Sequence, residues 1–300
     1  MVLSKAVRLV FYRSPYIILL LAISSCSGSI LDPIGPVADS ERTILMDALT
    51  VMLVIVVPTI LATLVFAWWF RASNTRARYL SDWEYSGRLE LIVWSIPLLV
   101  ILFLGGITWV GAHDLDPARP LDSKIKPLEV QVVSLDWKWL FIYPEQGVAS
   151  VNRLIVPVGI PLNLHITSAT VFNVFFVPRL GSEIYAMNGM ATQLNLEADK
   201  PGIYPGLAAH FSGDGFSDMT FELQAISPEK FSAWVATAQT EGAALDDSAY
   251  RKLLQQSENV KPYTYHSVRT GLFDDIVMQK LPPGEGPRID GTAVSPKQEN

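Results

Sequence analysis

The chain has 300 residues, half of them hydrophobic and 17% charged, with a formal net charge of −6. That length allows two domains and a sizeable core, the apolar bias asks for membrane segments, and the negative balance disfavours nucleic acid as a partner. Cys26 is the one cysteine in the sequence, so an internal disulfide and a thiolate metal cluster are both excluded.

Residues 1–25 combine a basic start (Lys5, Arg8, Arg13) with a short apolar run ending in Ser24 and Ser25. The run is too short for a bilayer about 30 Å thick and reads as a secretory signal peptide. Small residues directly before a lone cysteine suit a lipoprotein signal peptidase, which makes Cys26 the expected lipidation site; an uncleaved anchor with an inert thiol is the plainer alternative. Residues 26–43 are Pro/Gly/Ser-rich and read as a linker.

Residues 44–113 read as a transmembrane hairpin, with helices over about 44–70 and 90–112. Only Asp47 is charged in the first run, and Pro58 is tolerable in a bilayer helix. The second carries Trp94 and Trp109 towards its ends. The connecting loop, 71–89, holds Arg71, Arg76, Arg78 and Arg88, so the positive-inside rule makes it cytoplasmic and places both termini outside. The signal peptide demands the same orientation. Glu90 opens the second helix, where an acid is favoured by the helix dipole; an ionisable group near membrane depth is also a functional candidate. Residues 114–126 read as an interfacial linker, with His113 capping the preceding helix.

From 127 to 226 the texture is short strands between turn residues, which argues for an antiparallel sandwich or barrel. Leu162, Leu164 and Ile166 are expected to face inward, with Asn163, His165 and Thr167 outward; Leu194, Leu196 and Ala198 alternate likewise with Gln193, Asn195 and Glu197. Trp137 and Trp139 are expected to share a strand face. Residues 206–219 (GLAAHFSGDGFSDM) read as a loop, and Met219 as a core residue of the strand that follows. Residues 227–280 read as a helical extension: Ser227 caps a helix with Pro228 at its first position and Phe231, Trp234, Val235 and Ala238 as its stripe, and 246–257 repeats the pattern. The tail, 281–300, is Pro/Gly-rich and expected to be disordered.

The 206–219 loop resembles the copper loop of subunit II of haem–copper terminal oxidases, Cys-x-Glu-x-Cys-x3-His-x2-Met. Residues 172–190 (FNVFFVPRLGSEIYAMNGM) resemble that family's His-x-Phe-Phe-Val-Pro segment, and 133–146 (VSLDWKWLFIYPEQ) its aromatic strand. The ligand positions fall on Asn173, Ala208, His210, Ser212, Phe216 and Met219. Only Met219 matches a ligand, and the two thiolates that a dinuclear copper centre needs are absent. Fold kept with ligands lost resembles the quinol oxidase branch, the bacterial cytochrome bo-type ubiquinol oxidases. The resemblance implies a membrane α plus all-β chain: a two-helix hairpin, a periplasmic cupredoxin-like Greek-key β-sandwich and a helical C-terminal extension, in the bacterial inner membrane. It implies a subunit with no redox centre or metal of its own; haem, copper and ubiquinone are expected in subunit I, where oxygen is reduced to water. Expected partners are subunit I, further small membrane subunits and the lipid bilayer, and not cytochrome c. Glu90 matches a position at the cytoplasmic mouth of the family's proton pathway. Trp137 and Trp139 become candidates for packing against subunit I, with a quinone platform as the sharper alternative. Two other readings stay open: a cytochrome c oxidase subunit II with an altered metal site built from His210 and Met219, or a non-enzymatic membrane lipoprotein of cupredoxin fold.

Overall fold

The computed structural model describes residues 30–78 and 80–284; the expected signal peptide, Cys26 and residues 285–300 lie outside the described residues. The described residues form two compact units, one within 40–116 and the other made of 30–39 together with 117–284.

The first unit holds all of α1 (Pro36–Trp69) from Ser40 onward and α2 (Gly87–Asp114), and both helices are long and apolar enough to cross a membrane. Their 34 and 28 residues correspond to about 50 and 40 Å at 1.5 Å per residue. Four threonines in these helices donate their hydroxyls one turn back: Thr50 to the Met46 carbonyl, Thr59 to Ile55, Thr63 to Thr59 and Thr108 to Leu104. His113 bonds the Trp109 carbonyl at 2.8 Å, as expected of a residue in the last turn. Both helices start earlier than hydropathy suggests. α1 begins at Pro36, inside the expected linker, because proline presets the first helical position and the Ala38 N–H finds the Leu180 carbonyl. α2 begins at Gly87, directly after Ser86, so Glu90 lies within its first turn.

The second unit is a two-sheet sandwich. Its strands are β1 (Leu128–Leu135), β2 (Lys138–Tyr143), β3 (Val148–Val151), β4 (Arg153–Pro157), β5 (Leu162–Ser168), β6 (Asn173–Phe176), β7 (Ile184–Ala186), β8 (Thr192–Leu196), β9 (Gly202–Ala208) and β10 (Thr220–Ile226), followed by β11 (Ala243–Leu245) and β12 (Tyr263–Val268). One sheet runs β11-β12-β3-β2-β1-β5-β8 and the other β4-β10-β9-β6-β7. The antiparallel expectation needs correction, because β1 pairs β5, β4 pairs β10 and β11 pairs β12 in parallel. After β3 the chain crosses to the other sheet as β4 and returns as β5, so β5 runs in the same direction as β1. That crossover gives a Greek-key type of connection.

Between the sheets, Trp139, Phe141, Phe175 and Phe221 form an aromatic cluster. Phe175 and Phe221 stack at 5.0 Å, and Trp139 meets them edge-on at 5.4 and 5.8 Å. Gly206, opposite Phe221 in the β9–β10 register, leaves room for the ring; a Cβ there would lie 2.1 Å from it. Leu162, Leu164, Ile166, Leu194, Leu196 and Ala198 are buried as expected. Thr167 and Asn195 are not outward: Thr167 is fully buried, its hydroxyl between the Met187 and Met190 carbonyls, and Asn195 is buried with its amide on the Pro117 carbonyl. His165 is half-buried against Glu129 at 3.1 Å.

A second core lies on the outer face of the larger sheet. Val133, Leu135, Leu140 and Ile142 pack there under the C-terminal extension, against Tyr250, Leu253, Tyr265 and Phe273. The extension holds α3 (Pro228–Ala238), α4 (Asp247–Leu253) and α5 (Leu272–Val277). Ser227 caps α3 and Asp246 caps α4, its carboxylate accepting from the Ser248 and Ala249 N–H groups. The second helix is shorter than 246–257, because the segment beyond Leu254 turns back onto the β1–β2 hairpin. β11, β12 and α5 were not expected from periodicity. The tail is also ordered at its start: Leu281 joins the second core and the Gly284 N–H donates to the Ala169 carbonyl.

Phe221→Ala should destabilise the chain by about 3–5 kcal/mol, since it removes the ring that touches the other three. Phe211→Ala, at a ring 72% exposed, should stay within about 0.5 kcal/mol. Chemical denaturation of the detergent-solubilised chain measures both.

Candidate functional site

The ends of three strands bring the degenerate ligand positions together. β9 and β10 are antiparallel with Leu207 opposite Thr220, and the Ala208 N–H donates to the Met219 carbonyl at 3.0 Å, so Ala208 and Met219 are neighbours. β6 pairs with β9 and begins at Asn173. The Asn173 amide donates to the Met219 sulfur at 3.2 Å, both side chains being 1% exposed. Met219 is therefore a core residue as expected, though it immediately precedes the strand. The stretch 206–219 is only partly loop: Gly206 to Ala208 belong to β9, and Asp214–Asp218 form a 3-10 turn.

The other positions go elsewhere. Ser212 is buried, and its carbonyl accepts from the Trp137 indole N–H at 3.1 Å. His210 is exposed, edge-on to Phe172 at 4.8 Å, and Phe216 is half-buried 5.7 Å from Phe211. A two-copper centre does not fit this donor set. Bridging requires thiolate sulfur, whereas these positions offer a methyl group, a hydroxyl, a phenyl ring and a carboxamide whose N–H already occupies the thioether. The imidazole of His210 lies at the surface beside Phe172. No electron step can be derived through these residues.

Trp137 and Trp139 need correction as contact candidates for subunit I. They are 2% and 0% exposed and belong to the sandwich core, so neither offers surface to another chain or to a quinone. Nor do they share a strand. Trp139 lies on β2, but Trp137 sits in the two-residue turn between β1 and β2 at φ 62°, a left-handed conformation that is costly for a bulky residue. The indole bond to Ser212 and close approach of Gly215, where a Cβ would lie 2.4 Å from the ring, hold it there.

Sequence reasoning missed Lys138. It is 2% exposed, and its ammonium donates to the Gln255 carbonyl at 2.7 Å, the Ser257 hydroxyl at 2.6 Å and the Asp136 carbonyl at 3.3 Å. The Asp136 carboxylate, also buried, accepts from Gln256 at 3.3 Å. A charged residue flanked by two core tryptophans is the signal that could have found it. The end of the β1–β2 hairpin thus ties the C-terminal extension, through Lys138, to the 206–219 segment, through Trp137. Burial pushes the Lys138 ammonium down to about 8, partly offset by the Asp136 charge.

Residues 129–226 match the family described as cytochrome C oxidase subunit II, periplasmic domain, and residues 239–284 the COX aromatic rich motif. Fold and these matches together define a subunit II of the terminal oxidase class. Ubiquinol oxidase subunit 2 of Acetobacter aceti is 50% identical over 86% of this chain and 84% of its own. Cytochrome bo(3) ubiquinol oxidase subunit 2 of Pseudomonas aeruginosa is 48% identical over 86% and 78%. Quinol oxidase subunit 2 of Bacillus cereus is 36% identical over 79% and 82%. The chain belongs to the family of ubiquinol oxidase subunit 2.

The lowered Lys138 pKa carries a sign. Between about 8 and the ordinary 10.5 the unfolded lysine binds a proton that the folded one has lost, so its contribution to stability rises with pH. Tyr143 and Tyr250, pushed up from 10.0 by burial, oppose this above that value. Wild type should therefore gain stability relative to Lys138→Met from pH 8 to about 10, measured by denaturant titration at each pH.

Proposed function

We propose that this chain is a subunit without its own redox centre in a proton-pumping oxidase that passes electrons from quinol to oxygen. The observation that carries the reading is the closed Asn173–Met219 contact at the former metal loop, with Ala208 and Ser212 where thiolates would have to stand. Quinol arrives within the bilayer, so a relay in the periplasmic head has no task, and haem, copper and ubiquinone belong to subunit I. The chain braces subunit I and further small membrane subunits. Four arginines in the 71–89 loop support a bacterial inner-membrane hairpin with the β domain in the periplasm, and Ser24-Ser25-Cys26 supports acylation at Cys26.

Glu90 is proposed as a group at the proton entry. It is exposed in the first turn of α2, its N–H on the Ser86 carbonyl at 3.0 Å.

The test is to purify the assembly from membranes through this chain and record oxygen uptake and metal content. Quinol should drive respiration and reduced cytochrome c should not. The separated subunit should hold no stoichiometric copper; bound copper or preferential oxidation of cytochrome c would overturn the reading. Glu90→Gln should slow quinol-driven oxygen uptake and proton release in proteoliposomes, and unchanged rates would remove Glu90 from the pathway. Labelled palmitate should be incorporated by the wild type and not by Cys26→Ser.

A further inference from the structure

The stretch ahead of the first membrane helix is built into the β domain. The Ile34 N–H donates to the Arg179 carbonyl at 2.9 Å, and the Ile34 carbonyl accepts from the Asp199 N–H at 2.8 Å. The chain is thus threaded between the loop after β6 and the loop after β8. The Ile34 side chain, 2% exposed, enters the main core. At Gly35 a Cβ would stand 2.0 Å from the Glu197 carbonyl oxygen, so only glycine can lie this close to that backbone. Val37 rests on Gly181, where a Cβ would come within 2.7 Å of its methyl. The Ala38 N–H, one of the donors a helix start leaves without an intrahelical acceptor, reaches the Leu180 carbonyl at 3.2 Å.

Arg179 closes this arrangement from the side. Its Nε donates to the Asp32 carbonyl at 2.9 Å and its Nη2 to the Asp32 carboxylate at 2.5 Å, while the guanidinium lies 5.1 Å over the Tyr204 ring. An arginine that pairs with a carboxylate and a ring face at once is held in one geometry, which a lysine cannot reproduce.

We propose that residues 32–38 are a docked strap, that the β domain carries a peptide groove for it built from Arg179, Leu180, Gly181, Glu197, Asp199 and Tyr204, and that Arg179 is the latch. Main-chain bonds on both sides of Ile34 supply affinity. The isoleucine socket, the side-chain-free passage at Gly35 and the Asp32 carboxylate supply selectivity for an Asp-x-Ile-Gly segment. The beginning of α1 is thereby carried by protein contacts rather than by lipid. The groove is a binding site in its own right, able to take the same segment in trans.

The test uses the full chain in detergent, with residue-resolved amide hydrogen exchange. Gly35→Val drives a side chain into the Glu197 backbone and displaces the strap; Arg179→Ala opens the latch alone. Both should speed exchange at the Ala38 and Asp199 amides by about tenfold or more while β1 and β5 keep their protection. A synthetic peptide of residues 30–39, added to the Gly35→Val chain, should restore protection at Asp199. Lys126→Ala, removing an ion pair with Glu145 whose lysine is 75% exposed, should change neither amide. Unchanged exchange in Gly35→Val, or no protection from millimolar peptide, would overturn the groove. Equal loss in β1 and β5 would make the segment an inseparable piece of the core, and no effect of Arg179→Ala would remove the latch.

Discussion

Trp139 and Phe141 of the larger sheet, set edge-on or tilted against the stacked pair Phe175–Phe221 of the smaller one, make the contact through which the two sheets hold one another. Aromatic pairs in such geometries add to the large apolar area that each ring removes from water. Phe175 lies two residues from Asn173 and Phe221 two from Met219, so the cluster also sets the spacing of the strand ends that bring Asn173, Ala208 and Met219 together. With those ends fixed at core precision, the Asn173 amide reaches the Met219 sulfur without rearrangement.

That rigidity lets the 206–219 segment keep its shape with few direct ties: a carboxamide on a thioether, the Ala208–Met219 main-chain bond and the Trp137 indole on the Ser212 carbonyl. The β1–β2 turn contributes from below, with Lys138 binding the extension that covers the other face of the same sheet. The extension and the loop are therefore mechanically joined through two adjacent residues, although they lie on opposite sides of the larger sheet.

Much of this was legible in the residues. The two apolar helices, the inward sets Leu162/Leu164/Ile166 and Leu194/Leu196/Ala198, the Ser227 cap and the burial of Met219 follow from local pattern, which responds to one element at a time. What escaped depends on partners distant in sequence. Trp137 looked like a strand residue because alternation says nothing of a left-handed turn. Thr167 and Asn195 looked solvent-facing because their partners, Met187, Met190 and Pro117, come from other segments. Strand direction was misread because the crossover from β3 to β5 leaves no mark on composition. The helix start at Pro36 was hidden by a Pro/Gly-rich neighbourhood whose acceptor, Leu180, is remote in the chain. At the candidate site, the convergence of Asn173, Ala208 and Met219 was not legible, because the β6–β9 and β9–β10 pairings that bring them together are not written in local pattern.

β8 ends the seven-stranded sheet, and a terminal strand offers a free row of main-chain groups to any other polypeptide. Here the Asn195 N–H is occupied by the Pro117 carbonyl, and just past the strand the Asp199 N–H is occupied by Ile34. The two lengths of chain that lead into α1 and out of α2 thus occupy main-chain groups along this margin. That edge is therefore capped from within the chain, by the same segments that connect the β domain to the two apolar helices.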